Sequence, residues 1–262
     1  MNKLIEIHSV QAIPIKTMIE ALKDILVDIN IEISEEGLKI MEIDATQSIL
    51  VHIFLEASKF QYFKIKKRMI IGLSVINFFK LIKTINNGDI LQLYIEENKE
   101  YVLSICIENS EKNYQTKYEM NLLDIDYNQY DCPDKEFDTQ IILPSQYLQK
   151  ICRDMGNLSD IVEVKSIQKK LIFECQGDFA KQQTVFTEVE NKEDNIVFKK
   201  NNNDVIIQGY YSLKHLISFT KCTNLCQSLE IYIDNNYPLI IVYNIGNMGK
   251  LKLCLSPKEI NT

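Results

Sequence analysis

The sequence predicts an α+β fold in which one domain, an antiparallel sheet with two helices on one face, occurs twice. Helical patterns alternate with groups of short strands, and this order recurs after about 130 residues. The strands alternate apolar and polar residues, as half-buried antiparallel strands do. A repeat of this length is too long for a solenoid, so it indicates a duplicated domain.

The first half begins with a predicted helix, "PIKTMIEALKDIL" (14–26), which has a proline in its first turn. Several strands follow, and a second helix is predicted at "SVINFFKLIKTIN" (74–86). The next two segments, "GDILQLYIEE" (88–97) and "YVLSICIEN" (101–109), place apolar residues at every second position. This period predicts two strands with one buried face.

The second half repeats this order after residue 139. "PSQYLQKICRDMGN" (144–157) aligns with the first helix at an offset of 130, and "SLKHLISFTKCTN" (212–224) aligns with the second at 138. The second alignment places Ser212 on Ser74. It continues into the next strand, "LEIYI" (229–233), so the sequence predicts a matching pair of helices in each half.

An acid-rich segment, "LLDIDYNQYDCPDKEFD" (122–138), separates the halves. It contains a proline and lacks sustained periodicity, which is typical of an exposed linker. A surface loop within one domain is the alternative, and the position at the repeat boundary disfavours it. We therefore predict an N-terminal domain at 1–121, a linker at 122–138 and a C-terminal domain at 139–262.

The composition is that of a soluble globular protein, with 46% hydrophobic and 25% charged residues among 262. The chain lacks the run of roughly 18–20 apolar residues that a membrane span needs, so we predict no membrane contact. Seven cysteines are scattered and none forms C-x-x-C. This pattern predicts reduced, structural thiols inside a cell and no zinc site.

Positive charge is concentrated on the predicted helices. Residues 14–26, 74–86, 145–157 and 212–224 contain eight basic and three acidic residues, a net charge of +5. The remaining 21 basic and 33 acidic residues give −12. The basic residues of each helix are three or seven positions apart and therefore share one stripe. They are Lys16, Lys23, Lys80, Lys83, Lys150, Arg153, Lys214 and Lys221.

A basic helix face on an acidic body indicates contact with a polyanion. Seven of the eight residues are lysines, flexible point charges that suit phosphates better than base edges. The chain has no Trp and no basic run rich in aromatic residues that could stack single-stranded bases. The charge pattern therefore favours binding to double-stranded DNA without sequence preference.

Catalytic motifs are absent from the sequence. There is no P-loop, and "GNMGKLKL" (246–253) is predicted to be a turn at a strand edge. No zinc-protease, serine-hydrolase or zinc-deaminase pattern occurs, and the three histidines are far apart in the chain. We predict that the protein is not an enzyme and has no catalytic residue, metal or cofactor.

Several segments resemble PCNA, the eukaryotic and viral type of DNA sliding clamp. The matching segments are "EALKDIL" (20–26), "IDATQSILV" (43–51), "YEMNLLDID" (118–126), "ICRDMGNLSD" (151–160), "SFTKCTN" (218–224) and "YPLIIVYNIGNMGKLKLCLSPK" (237–258). They span nearly the whole chain in the family's order. The resemblance implies a ring of three subunits around duplex DNA, a DNA polymerase processivity factor for replication and repair. It also places the eight basic residues in the DNA channel.

The resemblance further implies a pocket for partner peptides of the PIP type, present in DNA polymerases and other partners. Its positions correspond here to Ile43, Gln47, Leu50, Tyr130, Cys132, Pro238, Cys254, Leu255 and Ser256. Cys254 stands where a tyrosine is common and Gln47 where a histidine is common. The lysine that carries ubiquitin in many relatives aligns with Gln168, so we predict no such modification there.

Assembly and loading also follow from the resemblance. The subunit contact joins two edge strands, which correspond to "NYQTKYEMN" (113–121) and "DFAKQQTVF" (178–186). A separate ATP-dependent clamp loader is expected, because the chain has no ATP site. The expected location is the nucleus, or a cytoplasmic viral replication site.

Two alternatives remain at the level of sequence. A checkpoint-type or hetero-oligomeric clamp paralogue would share the fold and have different partners. A DNA-modifying enzyme would need acids clustered on the basic face, and Glu20, Asp24 and Asp154 are too few.

Overall fold

The computed structural model describes residues 2–109, 111–128, 130, 136–188, 196–201, 205–235 and 237–259. Its strands are β1 (Lys3–Ser9), β2 (Asp28–Ser34), β3 (Gly37–Ile43), β4 (Ile49–Glu56), β5 (Tyr62–Ile65), β6 (Met69–Ser74), β7 (Ile90–Glu96), β8 (Val102–Asn109), β9 (Tyr114–Asn121), β10 (Thr139–Pro144), β11 (Ile161–Ile167), β12 (Lys170–Gln176), β13 (Lys181–Thr187), β14 (Val197–Lys200), β15 (Ile207–Ser212), β16 (Ser228–Ile233), β17 (Leu239–Ile245) and β18 (Gly249–Leu255). Its α-helices are α1 (Ala12–Leu22), α2 (Val75–Ile82), α3 (Ser145–Gly156) and α4 (Leu213–Phe219). Short 3₁₀ turns cover Ala57–Lys59 and Thr220–Leu225.

The chain divides into two compact units. Unit 1 comprises Met1–Asp44, Val51–Tyr130 and Asn244–Leu251, and unit 2 comprises Ala45–Leu50, Asp131–Tyr243 and Lys252–Thr262. Unit 1 contains strands in the orders β5-β1-β7-β8-β9 and β3-β2-β6, and unit 2 contains the orders β13-β12-β11-β15 and β14-β10-β16. Strands β4, β17 and β18 each include residues assigned to both units. The pairs β1–β7, β8–β9, β10–β16 and β11–β12 are antiparallel. The predicted α+β fold class is confirmed, whereas the exact domain and linker boundaries stay a prediction.

The four predicted helices are present but differ at their ends. The first begins at Ala12, two residues earlier than predicted, and ends at Leu22 rather than at residue 26. Its last turn tightens, because the amide of Ile25 bonds to the carbonyl of Leu22, three residues back, at 2.9 Å. The fourth helix likewise ends at Phe219 and continues as a 3₁₀ turn. The second helix ends at Ile82 rather than at residue 86. Hydrophobic periodicity does not distinguish tight turns from α-helix, so these three helices were predicted too long at their C-termini.

The second helices of the two halves begin in the same way. Ser74 and Ser212 are the N-cap residues of α2 and α4, and both have extended backbone angles. The next amide bonds to the carbonyl of a preceding loop in each case, from Val75 to Val27 at 2.9 Å and from Leu213 to Asp160 at 2.9 Å. The predicted alignment of Ser212 with Ser74 is therefore confirmed in the local structure.

Each helix buries one apolar stripe and leaves the opposite side outward. In α1 the buried stripe includes Ile15, Ile19 and Leu22, and α2 buries Phe78 and Ile82. The same spacing buries Leu148 and Met155 in α3, and Leu216 and Phe219 in α4. Helix α1 packs against α2, and α3 packs against α4. The polar residues between these positions must therefore face away from the core.

A buried carboxylate joins three elements at one end of unit 1. Asp89 lies between α2 and β7 and is 2% exposed. Its oxygens accept hydrogen bonds from the Tyr114 hydroxyl at 2.6 Å, the Asn109 side-chain amide at 2.7 Å and the Asn86 backbone amide at 2.8 Å. Burial acts to raise the pKa of Asp89, but these hydrogen bonds stabilise the carboxylate more strongly, so its pKa lies below the ordinary value.

The two segments predicted to pair between subunits lie at sheet edges. Strand β9 ends the order β5-β1-β7-β8-β9, and β13 ends the order β13-β12-β11-β15. In β13 half-buried and exposed residues alternate, and Val185 is 46% exposed. Nearby, Phe179 is 80% exposed, and Tyr147 stacks on Phe186 with ring centroids 6.0 Å apart. Each edge presents backbone donors and acceptors that another strand could pair with.

The described cysteines are free thiols, and most of them are buried. Burial raises the pKa of Cys152 and of Cys222 to about 12, so both are protonated at neutral pH. The "GNMGKLKL" segment begins with the turn between β17 and β18 at residues 246–248, where Gly246 has a positive φ of 55°, and continues into β18. The predicted turn at a strand edge is therefore confirmed. Among the helices described, none is long and apolar enough to cross a membrane.

Candidate nucleic-acid interface and partner site

The eight basic residues lie on the outward sides of the four helices or in the turns that end them. Six are exposed, namely Lys80, Lys83, Lys150, Arg153, Lys214 and Lys221. Lys16 and Lys23 are half-buried. Unit 1 carries the two lysine pairs of α1 and α2, and unit 2 carries the four basic residues of α3, α4 and the following turn. The structure thus places four basic residues on one pair of packed helices in each unit.

The two lysines of α1 already have partners within unit 1. The Lys16 ammonium donates a hydrogen bond to the backbone carbonyl of Ile85 at 2.8 Å, just beyond α2. The Lys23 ammonium lies 3.0 Å from a carboxylate oxygen of Asp24 and 5.5 Å from the centre of the Phe79 ring. These contacts bring the α1 lysines next to α2 and leave them less available to an outside anion.

The α2 and α3 residues have weaker local partners. The Lys80 ammonium lies 3.3 Å from the neutral side chain of Asn77. Arg153 is 71% exposed at its side chain, and its Nε lies 3.7 Å from a carboxylate oxygen of Asp154. A pair this open to water is screened and contributes little stability. These exposed cations are suited to binding phosphate groups through water or directly.

The predicted pocket residues are divided between the units and differ in exposure. In unit 2, Gln47 and Ser256 are exposed, and Leu50 and Pro238 are half-buried. Cys254 and Leu255 are buried, with Leu255 only 1% exposed. Ile43 and Tyr130 are half-buried residues of unit 1, and Cys132 lies outside the described residues.

Within unit 2 the structure brings both ends of this predicted set together. The amide of Ser256 donates to the carbonyl of Ser48 at 3.0 Å, which joins the segment after β18 to the segment before β4. In the segment before β4, Gln47 has a positive φ of 56°, so the chain turns sharply three residues before Leu50. Because Leu255 is buried, it can pack under a peptide-binding surface at this place but cannot itself be part of the exposed surface.

The sequence missed a set of contacts to the predicted linker. Residues 123–127 lie along unit 1, where the amide of Leu123 donates to the carbonyl of Gly72 at 2.8 Å and the Tyr127 hydroxyl donates to Glu32 at 3.0 Å. A Cβ at Gly72 would collide with the carbonyl of Leu123. Gly72 lies inside an apolar strand and carries no functional motif, so no local signal marked it as a docking position.

The described part of the chain offers no catalytic constellation. Its His, Cys, Asp and Glu residues form no group of three that could hold a metal ion. The strongest local networks, such as that of Asp89, use their carboxylates to bond structural groups. The features of the described residues that could bind another molecule are the basic residues of the helices and the edge strands β9 and β13.

A duplicated antiparallel fold with basic residues on its four helices is typical of the DNA sliding clamps. Models of the N-terminal and C-terminal domains of proliferating cell nuclear antigen match residues 4–131 and 131–258. Together they cover nearly the whole sequence, and the chain therefore belongs to the proliferating cell nuclear antigen family.

Individual relatives agree with this assignment. "Probable DNA polymerase sliding clamp 1" of Paramecium bursaria Chlorella virus 1 is 34% identical over 260 residues, 98% of this chain and 97% of that protein. Proliferating cell nuclear antigen of Chaetomium thermophilum is 27% identical over 258 residues, 97% of this chain and 98% of that protein. "Probable DNA polymerase sliding clamp" of Acanthamoeba polyphaga mimivirus is 29% identical over 225 residues, 84% of this chain and 47% of that longer protein.

Proposed function

We propose that the protein is a DNA sliding clamp that holds a DNA polymerase on double-stranded DNA. The observation that carries this proposal is the segregation of charge, with basic residues on four paired helices of an acidic chain. Relatives named DNA polymerase sliding clamps support it. The protein acts at sites of DNA replication and catalyses no reaction itself.

The proposed DNA contact is electrostatic and independent of base sequence. The six exposed basic residues present mobile cations that can follow successive phosphates as the clamp moves. The acidic remainder of the chain repels DNA elsewhere, so the duplex is favoured only along the basic helices. Lys16 and Lys23 contribute less, because their ammonium groups are engaged within the protein.

Copies of this chain form the proposed ring, and we infer a homotrimer. Strand β9 ends one sheet of unit 1 and β13 ends one sheet of unit 2, so each copy offers two different edges. Pairing of unlike edges is a head-to-tail contact, which closes into a ring when the rotation between copies permits. Exposed Phe179 and Val185 near β13 would be covered by such a contact.

Partners of the clamp are proposed to bind through PIP-type peptides. In unit 2, half-buried Leu50 and Pro238 give an aromatic side chain apolar surface to cover, and exposed Gln47 and Ser256 can form hydrogen bonds at its rim. The full predicted set, which includes Ile43, Tyr130 and Cys132, stays a prediction. A separate ATP-driven loader is required, because the sequence has no P-loop to power ring opening.

Polymerase stimulation on primed circular DNA tests the function. The wild-type protein should form a particle of about three times 30.5 kDa in light scattering and should lengthen the products of a single binding event. A variant with alanine at Lys80, Lys83, Lys214 and Lys221 should retain the trimer and lose the stimulation. The proposal is wrong if that variant stimulates as well as the wild type. A chain that assembles only with a different subunit would instead favour the hetero-oligomeric paralogue.

A further inference from the structure

The first part of the linker is a strap that is fastened along unit 1. The backbone of Leu123 pairs with Gly72 of β6, and its amide bonds to the Gly72 carbonyl at 2.8 Å. Next, the Asn30 side-chain amide donates to the carbonyl of Asp126 at 3.2 Å. The Tyr127 hydroxyl then bonds to Glu32. Three successive contacts thus hold residues 123–127, called here the strap.

The strap ends at a polar cluster formed by Tyr127, Glu32 and Arg68. Glu32 of β2 accepts the Tyr127 hydroxyl at one carboxylate oxygen, at 3.0 Å. Its other oxygen lies 2.6 Å from the guanidinium of Arg68, which precedes β6. The Glu32 side chain is only 14% exposed, whereas Arg68 is 65% exposed. Glu32 is therefore a fixed acceptor, and Tyr127 is the last strap residue with a side-chain hydrogen bond to unit 1.

Close approach of the strap depends on the missing side chain at Gly72. An added Cβ there would meet the Leu123 carbonyl and, at 2.9 Å, the end of the Ile125 side chain. Ile125 thereby covers the glycine, while Leu123 and Tyr127 remain about two-fifths exposed. The strap is therefore held both by its backbone and by its last side chain, as expected of a segment with a defined position on unit 1.

We propose that Tyr127 is a positioning residue for partner binding and that its bond to Glu32 fixes the course of the strap. This inference rests on the proposed clamp function. Tyr130, one of the predicted partner-contacting residues, follows only three positions later. A strap that is already ordered loses less conformational entropy when a partner binds. Breaking this bond reduces the fraction of molecules whose strap is in its binding-competent position, and it slows association in proportion.

Phenylalanine at Tyr127 is the sharpest perturbation, since it removes the hydroxyl and keeps the ring. One exposed hydrogen bond to a carboxylate corresponds to a loss of about fivefold in the association rate of a PIP-type peptide. Tyr127→Phe and Glu32→Ala should each show this loss. The double variant should lose no more than Glu32→Ala alone, because that change already removes the acceptor of the Tyr127 hydroxyl. Tyr101→Phe, at a tyrosine that is 67% exposed and outside the strap, is the matched control.

Two readouts separate the strap from the pocket. Hydrogen exchange of residues 123–127 should become faster in Tyr127→Phe and stay unchanged in Tyr101→Phe, with equal thermal unfolding in both. Peptide association is followed by biolayer interferometry. Unchanged exchange, unchanged association or additive losses in the double variant would each overturn the proposal. If the wild type binds no such peptide, the peptide part of the proposed function is wrong. In that case polymerase stimulation tests the role of the strap. If wild type and Tyr127→Phe reach half-maximal stimulation at the same clamp concentration, the strap has no role in partner binding.

Discussion

The four lysines of unit 1 should contribute unequally to DNA binding. We compare the pair Lys80 and Lys83, replaced together by alanine, with the pair Lys16 and Lys23, replaced in the same way. Both double variants remove two positive charges from one helix. They differ in the partners that the ammonium groups have within the protein in the absence of DNA.

The magnitude follows from counterion release. Each phosphate neutralised by a lysine adds about 0.9 to the slope of log K against log salt, so losing Lys80 and Lys83 should lower the slope by up to about 1.8 per contacting subunit. Lys16 bonds to the Ile85 carbonyl at 2.8 Å and Lys23 lies 3.0 Å from Asp24. Their replacement should lower the slope by less than half as much.

Fluorescence anisotropy with a labelled duplex between 50 and 200 mM salt measures the slopes, in the range where this term changes steeply. Light scattering and thermal unfolding serve as controls, because Lys16 also joins α1 to the end of α2. Equal reductions for the two pairs, or a larger one for Lys16 and Lys23, would refute the reasoning that local partners withhold these cations.

Two further predictions concern stability. The lowered pKa of Asp89 means that its contribution is present above the ordinary value of 3.8 and is lost as the pH falls through the folded value. Asp89→Asn should therefore lower the melting temperature at pH 7, and the difference from wild type should shrink between pH 4 and pH 2; a constant difference in scanning calorimetry would contradict this assignment. Gly72→Ala should speed hydrogen exchange of the strap and lower the melting temperature by several degrees, because the new methyl group meets backbone. Gly156→Ala is the control, since its methyl group meets only the mobile end of Ile217 at 2.7 Å. Equal effects of the two alanines would show that the strap does not depend on Gly72.

The sequence by itself determined the repeated elements and the sides of the helices that carry charge. Periods of two and 3.6 residues are local properties, so the alternation in β7 and β8 and the buried stripes of α1 to α4 follow from neighbours along the chain. The basic residues fell between the apolar positions of each stripe, and their placement on the outward side was therefore predictable. Helix ends were less so, since the apolar pattern continues through the 3₁₀ turns.

Only the tertiary structure decided which of these residues are already engaged. Lys16 meets a carbonyl 69 residues away, and Tyr127 meets a carboxylate 95 residues away. The role of Gly72 likewise depends on Leu123 passing close to it. The burial of Leu255, which the pocket prediction treated as a contact surface, also depends on strands distant in sequence. Such contacts depend on how the chain returns to itself in space, and no local pattern records that.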